Sequence, residues 1–166
     1  LISKWSPCAT PYAAIEYGIV PSRMLLFSWG EECFRKDESV PYVEFKDTNG
    51  NGAWDKGEVF LLGWVDVNGN KKRLLESEYF PWFAVDRKTG ALYCLTRKAQ
   101  DKSVQLVRLL EGKKSVVRQF DEDELPVALK LSPDTRLISF SVVDKKTKSV
   151  TFRVLDLKDG DLIFEK

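Results

Sequence analysis

The stretch Pro81-Trp-Phe-Ala-Val85, followed by Leu92-Tyr-Cys-Leu95-Thr96, decides the fold of this chain. Both runs are short, apolar and rich in aromatic or β-branched residues, and Lys88-Thr-Gly90 between them has hairpin-turn chemistry. The pattern predicts two neighbouring strands. It returns in Pro126-Val-Ala-Leu-Lys130 and Leu137-Ile-Ser-Phe140-Ser141, so that the two units are offset by 45 residues both at their prolines and at their second strands.

A further copy of this unit lies nearer the start of the chain, as Pro11-Tyr-Ala-Ala-Ile15 and then Met24-Leu-Leu-Phe27-Ser28. Each copy continues into two more predicted strands. The third strands are predicted at residues 59–62, 104–107 and 150–153, and the fourth at 72–75, 115–120 and 162–164. We therefore divide a single domain, residues 1–166, into repeat one (11–76), repeat two (81–120) and repeat three (126–166).

Four short strands in a unit of about 45 residues are typical of a β-propeller blade. The second strand of a blade is covered on both faces by its neighbours, which accounts for apolar runs such as Met24-Leu-Leu-Phe27 in place of strict alternation. The expected fold class is all-β, with three tandem four-stranded antiparallel blade-like sheets that form a partial β-propeller. A β-sandwich also has short strands joined by turns, but the recurring offset favours blades.

Three blades are fewer than the four to eight that usually close a propeller, so open sheet faces and strand edges are expected. The sequence leaves three ways to cover them: a longer propeller of which this chain is a piece, a ring made by two copies, or blades stacked on another subunit. Leu1-Ile-Ser-Lys-Trp5 is expected to be a closing strand from a preceding blade, which favours the first two arrangements. We therefore expect a protein partner, or self-association into a homo-oligomer through open blade edges.

The segment Leu131-Ser132-Pro133-Asp134-Thr135-Arg136-Leu137-Ile138-Ser139-Phe140-Ser141 resembles the core repeat of TolB-type, WD40-like β-propellers, in which Ser-Pro-Asp-Gly-Lys precedes an apolar strand. Asp134 matches that pattern, whereas Thr135 stands where it has glycine. The resemblance is clearest over residues 126–166 and weaker over 81–120. It implies a binding platform or scaffold. It also implies a second role, as an accessory domain that caps a prolyl-oligopeptidase-like hydrolase and carries no nucleophile of its own.

A different motif interrupts repeat one: Asp47-Thr-Asn49-Gly-Asn51-Gly52-Ala53-Trp-Asp55-Lys-Gly-Glu58. Oxygen-bearing side chains occupy positions 1, 3, 5, 9 and 12 of a twelve-residue loop and glycine occupies position 6, which resembles the EF-hand calcium loop. Glu58 is expected to bind with both carboxylate oxygens. The predicted Ca²⁺ ligands in loop 47–58 are Asp47, Asn49, Asn51, the backbone carbonyl of Ala53, Asp55 and Glu58.

The alternative to a calcium loop is a surface turn rich in Asn and Gly, which explains residues 49–52 but requires neither Asp55 nor Glu58. The flanking residues 39–46 and 58–67 are typical of strands, so the loop is expected inside a β-hairpin. We therefore expect a structural clamp and not a helix-opening switch. Trp54 lies inside the loop between polar residues, and we predict that its ring makes a surface contact outside the core.

The charge balance and the lack of histidine argue against several classes of protein function. The 166 residues include 26 Lys/Arg and 25 Asp/Glu, a net charge of +1 that gives no case for nucleic-acid binding. No apolar run is long enough to span a bilayer. Without histidine, histidine-based triads and most zinc sites cannot be built. Adjacent carboxylates such as Asp121 and Glu122 point to opposite faces of a strand and form a poor acid–base pair. We expect no enzymatic activity.

The chain also contains three cysteines, Cys8, Cys33 and Cys94. A disulfide between Cys8 and Cys33 stays open as an alternative to free thiols, and Cys94 is expected to be a small core residue. The sequence thus predicts a non-catalytic, calcium-binding, β-propeller-type binding or assembly module. We expect it to be extracytoplasmic (secreted, periplasmic or at the cell surface), because a weak calcium site fills only where the ion is abundant. A structural subunit of a surface layer or filament is the first alternative, and the accessory domain of a peptidase-like hydrolase is the second.

Overall fold

The computed structural model describes residues 24–26, 39–52, 54–66, 68–97 and 100–166. The secondary structure within these ranges consists of β-strands, with no helix. The strands are β1 (Met24–Leu26), β2 (Val40–Phe45), β3 (Phe60–Val65), β4 (Lys71–Ser77), β5 (Phe83–Asp86), β6 (Ala91–Thr96), β7 (Gln105–Leu110), β8 (Lys113–Gln119), β9 (Glu124–Leu131), β10 (Leu137–Asp144), β11 (Val150–Asp156) and β12 (Leu162–Glu165). They form three four-stranded sheets, β1–β4, β5–β8 and β9–β12, in which each strand pairs antiparallel with the next. The all-β class with three antiparallel sheets is confirmed. None of the described residues forms a helix long and apolar enough to cross a membrane.

The second and third sheets have their strands where the sequence predicted them, whereas the first sheet differs. Met24–Leu26 was predicted as the second strand of its unit but is the first strand of the sheet, and Val40–Phe45 takes the second position. Residues 39–46 were predicted as a strand before the loop but were not counted among the four strands of repeat one, although Val40–Phe45 supplies the buried pair Tyr42 and Val43. The strand predicted at residues 11–15 and the closing strand at residues 1–5 lie outside the described residues.

The second sheet lies between the other two, and its strand β6 is buried on both faces. Alternate residues of β6 point to opposite sides, so that Leu92 and Cys94 join one core cluster while Tyr93 and Leu95 join the other. The first cluster joins the first and second sheets through Val43, Phe45, Phe60, Leu62, Trp64, Phe80, Leu92, Cys94, Val107 and Leu109. The second joins the second and third sheets through Ala91, Tyr93, Leu95, Val104, Leu106, Phe120, Ile138, Phe140, Val142 and Leu155. The predicted burial of a second strand on both faces is confirmed for β6.

Repeats two and three align with an offset of 46 residues in their second strands, not the predicted 45. Equivalent turns at 86–91 and 132–137 fix this alignment and match Leu92 with Ile138, both of which face the preceding sheet. A slip of one residue exchanges the two faces of a strand. The 45-residue offset therefore matches Ile138 with Tyr93, which faces the opposite way.

The additional residue lies in β9. Its pairing with β10 is irregular between Ser139 and Ser141, and Ala128 in the facing part of β9 has a φ of 58°. This is a β-bulge, in which one strand gains a residue that its partner lacks. Pro81 and Pro126 therefore keep their 45-residue offset while the strands that follow them do not.

Each sheet also carries a bulge in its fourth strand. Leu74 in β4, Val117 in β8 and Ile163 in β12 are each skipped by the pairing with the third strand. Leu74 packs against the core between the first and second sheets, and Val117 packs against the core between the second and third. Ile163, by contrast, is 53% exposed.

Thr135, in the turn before β10, is held in the left-handed region with a φ of 61°. A β-branched residue costs about 1–2 kcal/mol there, and glycine gives back about 0.4–1 kcal/mol through the greater freedom of its unfolded chain. Thr135→Gly is therefore expected to raise the free energy of unfolding by about 0.5–1 kcal/mol in denaturant unfolding. Gly160→Thr is the reverse control, because Gly160 has a φ of 75° and room for a Cβ. It is expected to lower the stability, and a Thr135→Gly variant that is no more stable than the parent would contradict the prediction.

Candidate metal centre

Residues 47–58 connect β2 to β3 at one end of the first sheet. The N–H of Lys46 donates to the carbonyl of Val59 at 2.8 Å, and Phe45 pairs with Phe60, so the hairpin closes at the base of the loop. Both flanks are strands, which confirms the sequence prediction for them. Ala53, whose carbonyl was predicted as a ligand, lies outside the described residues.

Asp47 is fixed at the start of the loop by two backbone donors. The N–H of Gly50 donates to its Oδ1 at 2.6 Å, and the N–H of Gly52 donates to its Oδ2 at 2.9 Å. Both glycines have positive φ values, 76° and 80°, a conformation that glycine adopts without steric cost. The glycine at position six thus allows the backbone to fold around the carboxylate of position one.

Asn49, Asn51 and Asp55 come together at one point of the loop. Nδ2 of Asn49 and Nδ2 of Asn51 each donate to Oδ2 of Asp55 at 2.7 Å. The N–H of Asn51 also donates to Oδ1 of Asn49 at 3.0 Å. Positions three, five and nine are therefore neighbours in space, and the two amide groups direct their positive ends at a carboxylate oxygen.

Glu58 closes the loop and is 4% exposed, the most buried of the predicted ligands that the structure describes. Its Oε1 accepts from the N–H of Thr48 at 2.7 Å and from Thr48 Oγ1 at 3.0 Å, and its Oε2 accepts from the N–H of Asp55 at 3.0 Å. These donors, above all the N–H of Thr48, hold the pKa of the Glu58 carboxyl below its usual value. The ligand spacing did not identify Thr48, because position two supplies no ligand in that pattern.

Acid is expected to weaken the folded chain through Glu58. Because the pKa of this carboxyl is lower in the folded chain, its ionised form contributes stability that is present above the usual pKa of 4.5 and is lost as the pH falls through the folded value. We expect the free energy of unfolding of the calcium-free chain to fall in this acid range, and Glu58→Gln to make the fall smaller. Denaturant unfolding at several pH values measures both, and an equal pH dependence of the two proteins would contradict this role.

Trp54 packs against the protein core. Its ring stacks on Phe60 with centroids 5.4 Å apart and an interplanar angle of 15°, and its Nε1 donates to the carbonyl of Glu58 at 3.2 Å. The ring borders the first core cluster. The prediction of a contact outside the core is therefore wrong, because the loop folds back and brings this ring onto the first residue of β3.

The donor chemistry of the loop fits Ca²⁺, which prefers carboxylate and amide oxygens. The hydrogen bonds described above satisfy the carboxylates without an ion, and no three His, Cys, Asp or Glu side chains in the described ranges gather closely enough to hold a metal. To bind an ion, Asn49 and Asn51 must present Oδ1 in place of Nδ2, a half-turn of each amide. Asp55 must then exchange these amide donors for the cation.

Cys94 is the cysteine that the structure describes, and it is fully buried in the first core cluster. Burial raises the pKa of its thiol, which keeps it protonated and unreactive. The prediction of a small core residue is confirmed. Cys8 and Cys33 lie outside the described residues, so their disulfide stays a prediction.

Comparison with known proteins assigns the chain to no family. No protein-family model matches it, and no curated protein matches it either. The TolB-type resemblance of residues 131–141 and the calcium loop at 47–58 therefore remain predictions that rest on the residues themselves.

Proposed function

We propose that the chain is a non-catalytic, calcium-binding, β-propeller-type module that serves as a binding or assembly platform outside the cytoplasm. The observation that carries the proposal is the fold of loop 47–58. Asp47 is fixed at its start, buried Glu58 reaches back from its end, and Asp55 gathers two asparagine amides between them. Five of the six predicted ligand residues thus share one compact turn.

The proposed ion acts as a clamp between β2 and β3. Asp47 follows β2 closely and Glu58 precedes β3 closely, so an ion held by both joins the ends of two paired strands. A sensor of the EF-hand type needs flanking helices whose angle changes on binding. Here β2 and β3 are paired residue by residue from Val40–Val65 to Phe45–Phe60, which favours a structural role.

The propeller part of the proposal is supported by the way the sheets repeat. Each is a four-stranded meander, and the second is covered on both faces by the other two. Leu92 and Ile138 are equivalent residues, and each faces the preceding sheet. Successive propeller blades also stack in the same sense, so equivalent positions face the same neighbour.

The location and the lack of catalysis follow from affinity and composition. Three carboxylates and two neutral amides beside Lys46 and Lys56 favour modest affinity, and modest calcium sites fill where the ion is abundant, as it is outside the cytoplasm. The chain contains no histidine to act as a general base, and Cys94 is buried. Binding or assembly is therefore favoured over catalysis.

Direct titration of the calcium-free chain tests the proposal. We expect one ion per chain, measured by calorimetry and by Tb³⁺ luminescence excited through Trp54, which lies within the loop. Glu58→Gln keeps the shape of the side chain but removes a charge, so we expect it to weaken binding by about tenfold or more, since ligand charge tunes such loops. Glu76→Gln, an exposed position on β4, is the matched control. No binding at extracellular calcium levels, or equal affinity of the two variants, would overturn the calcium proposal.

A further inference from the structure

Exposed large apolar side chains in the described ranges concentrate on two strands of the third sheet. Five of the six lie on β11 and β12 and one on β8: Val150, Phe152, Leu162, Ile163 and Phe164, and then Val116. Leu155 faces the second sheet, so alternation and strand pairing place Val150, Phe152 and Phe164 on the opposite face. We call this opposite face the outer face. Phe152 and Phe164 touch there, with ring centroids 6.2 Å apart.

The outer face continues a series of interfaces between sheets. Leu74 and Val117, the bulge residues of the first two sheets, each pack into the core shared with the following sheet. Val150 and Phe152 of the third sheet lie 46 residues after Val104 and Leu106, which pack into the core between the second and third sheets, but Val150 and Phe152 are exposed. The third sheet thus presents the kind of surface that its two predecessors cover with another sheet.

The charged side chains on the outer face do not disfavour packing against the same face of a second copy. Strand β10 contributes the small side chains Ser139 and Ser141 to this face, and these residues pair with Lys130 and Val127 of β9. Lys130 lies near the end of β9, and Lys166 follows β12, so the charges lie towards the ends of the strands. An apolar centre with peripheral charges is typical of self-associating surfaces.

The opposite end of the stack of sheets is already covered. Tyr42 and Leu61 lie on the face of the first sheet that points away from Val43 and Leu62, and they are 0% and 3% exposed. A head-to-tail filament requires two complementary open faces on each copy. Since one sheet face is open and the other is covered, packing of the open face against the same face of a second copy is favoured over a head-to-tail filament.

We propose that two copies of the chain pack the outer faces of their third sheets together and form a closed twofold dimer. This inference rests on the assembly role proposed above but does not depend on calcium binding. Facing sheets pack about 10 Å apart with interdigitated side chains. Phe152 and Phe164 of each copy then lie over Ser139 and Ser141 of the other, which removes the exposed aromatic rings from water.

The mass of the full chain in solution tests this dimer, measured by sedimentation over a concentration series with calcium and with chelator. The expected limiting mass is twice the 19.0 kDa of one chain, with no larger species. Phe152→Arg and Val150→Arg place a charge in the interface and are expected to halve that mass. Val116→Arg is the matched control, because Val116 on β8 is also a well-exposed valine (53% against 63% for Val150), and it is expected to stay dimeric.

Each other outcome overturns the dimer. The mass of a monomer at every concentration would indicate that the outer face packs against a sheet of another polypeptide. A mass that keeps rising with concentration would indicate a filament. Dimers that persist in both Phe152→Arg and Val150→Arg, with cooperative thermal unfolding, would place the interface elsewhere. Calcium titration of the same samples separates the two proposals, since a monomer that binds calcium contradicts the dimer alone.

Discussion

Calcium is expected to raise the melting temperature of the chain by about 5–11 °C when the free ion is at a hundred times its Kd. Binding to the folded state alone then contributes about 2.7 kcal/mol, and each kcal/mol moves the melting temperature of a protein of this size by about 2–4 °C. The effect enters through the hairpin, because Asp47 and Glu58 lie at the ends of paired strands. Differential scanning calorimetry with calcium and with excess chelator measures it.

Two controls make this shift specific to the loop. Mg²⁺ at the same concentration is expected to give a smaller shift, since it demands a tighter octahedral shell and gives up its water reluctantly. Glu58→Gln is expected to lose most of the shift, whereas Glu76→Gln retains it. A melting curve that excess chelator leaves unchanged would remove calcium as a structural element of the chain.

Phe140→Ala is expected to lower the free energy of unfolding by about 3–5 kcal/mol. Phe140 is fully buried between the second and third sheets and meets Phe120 edge-on, with centroids 5.3 Å apart and an interplanar angle of 89°. Its removal leaves a cavity that the sheets cannot close, because backbone hydrogen bonds fix the strands on both sides. Urea unfolding measures the loss.

Phe152→Ala is the matched control for Phe140→Ala, since Phe152 lies on the neighbouring strand but is 44% exposed. At concentrations that keep the chain monomeric, its effect is expected to be about 1 kcal/mol or less. If the two variants lost equal stability, Phe140 would not be a core residue between the second and third sheets.

Strand positions in repeats two and three could be predicted because the turns that bound them are local. Asp86 accepts from the N–H of Lys88, and Asp144 accepts from the N–H of Lys146, bonds that neighbouring residues alone determine. The offset between repeats could not be predicted to the residue. It depends on the bulge near Ala128, which only the pairing of β9 with β10 reveals.

The candidate metal centre could likewise be predicted only in part. The ligand types of loop 47–58 could be predicted, because twelve consecutive residues contain the whole pattern. The bonds of Thr48 to Glu58 and the stacking of Trp54 on Phe60 could not, since both depend on how the loop folds back onto β3. The ligand spacing names which residues could bind an ion but not what holds them when none is bound.

The second sheet contributes one face to each of two separate cores, and this has a consequence for partial unfolding. Detachment of the first or the third sheet disrupts only one of the two core clusters. Strands β6 and β7, by contrast, can open only if both clusters are disrupted. Local opening should therefore start in an outer sheet, and the amide hydrogens of β6 should exchange with solvent most slowly. We therefore expect the second sheet, which lies between the first and the third, to unfold last.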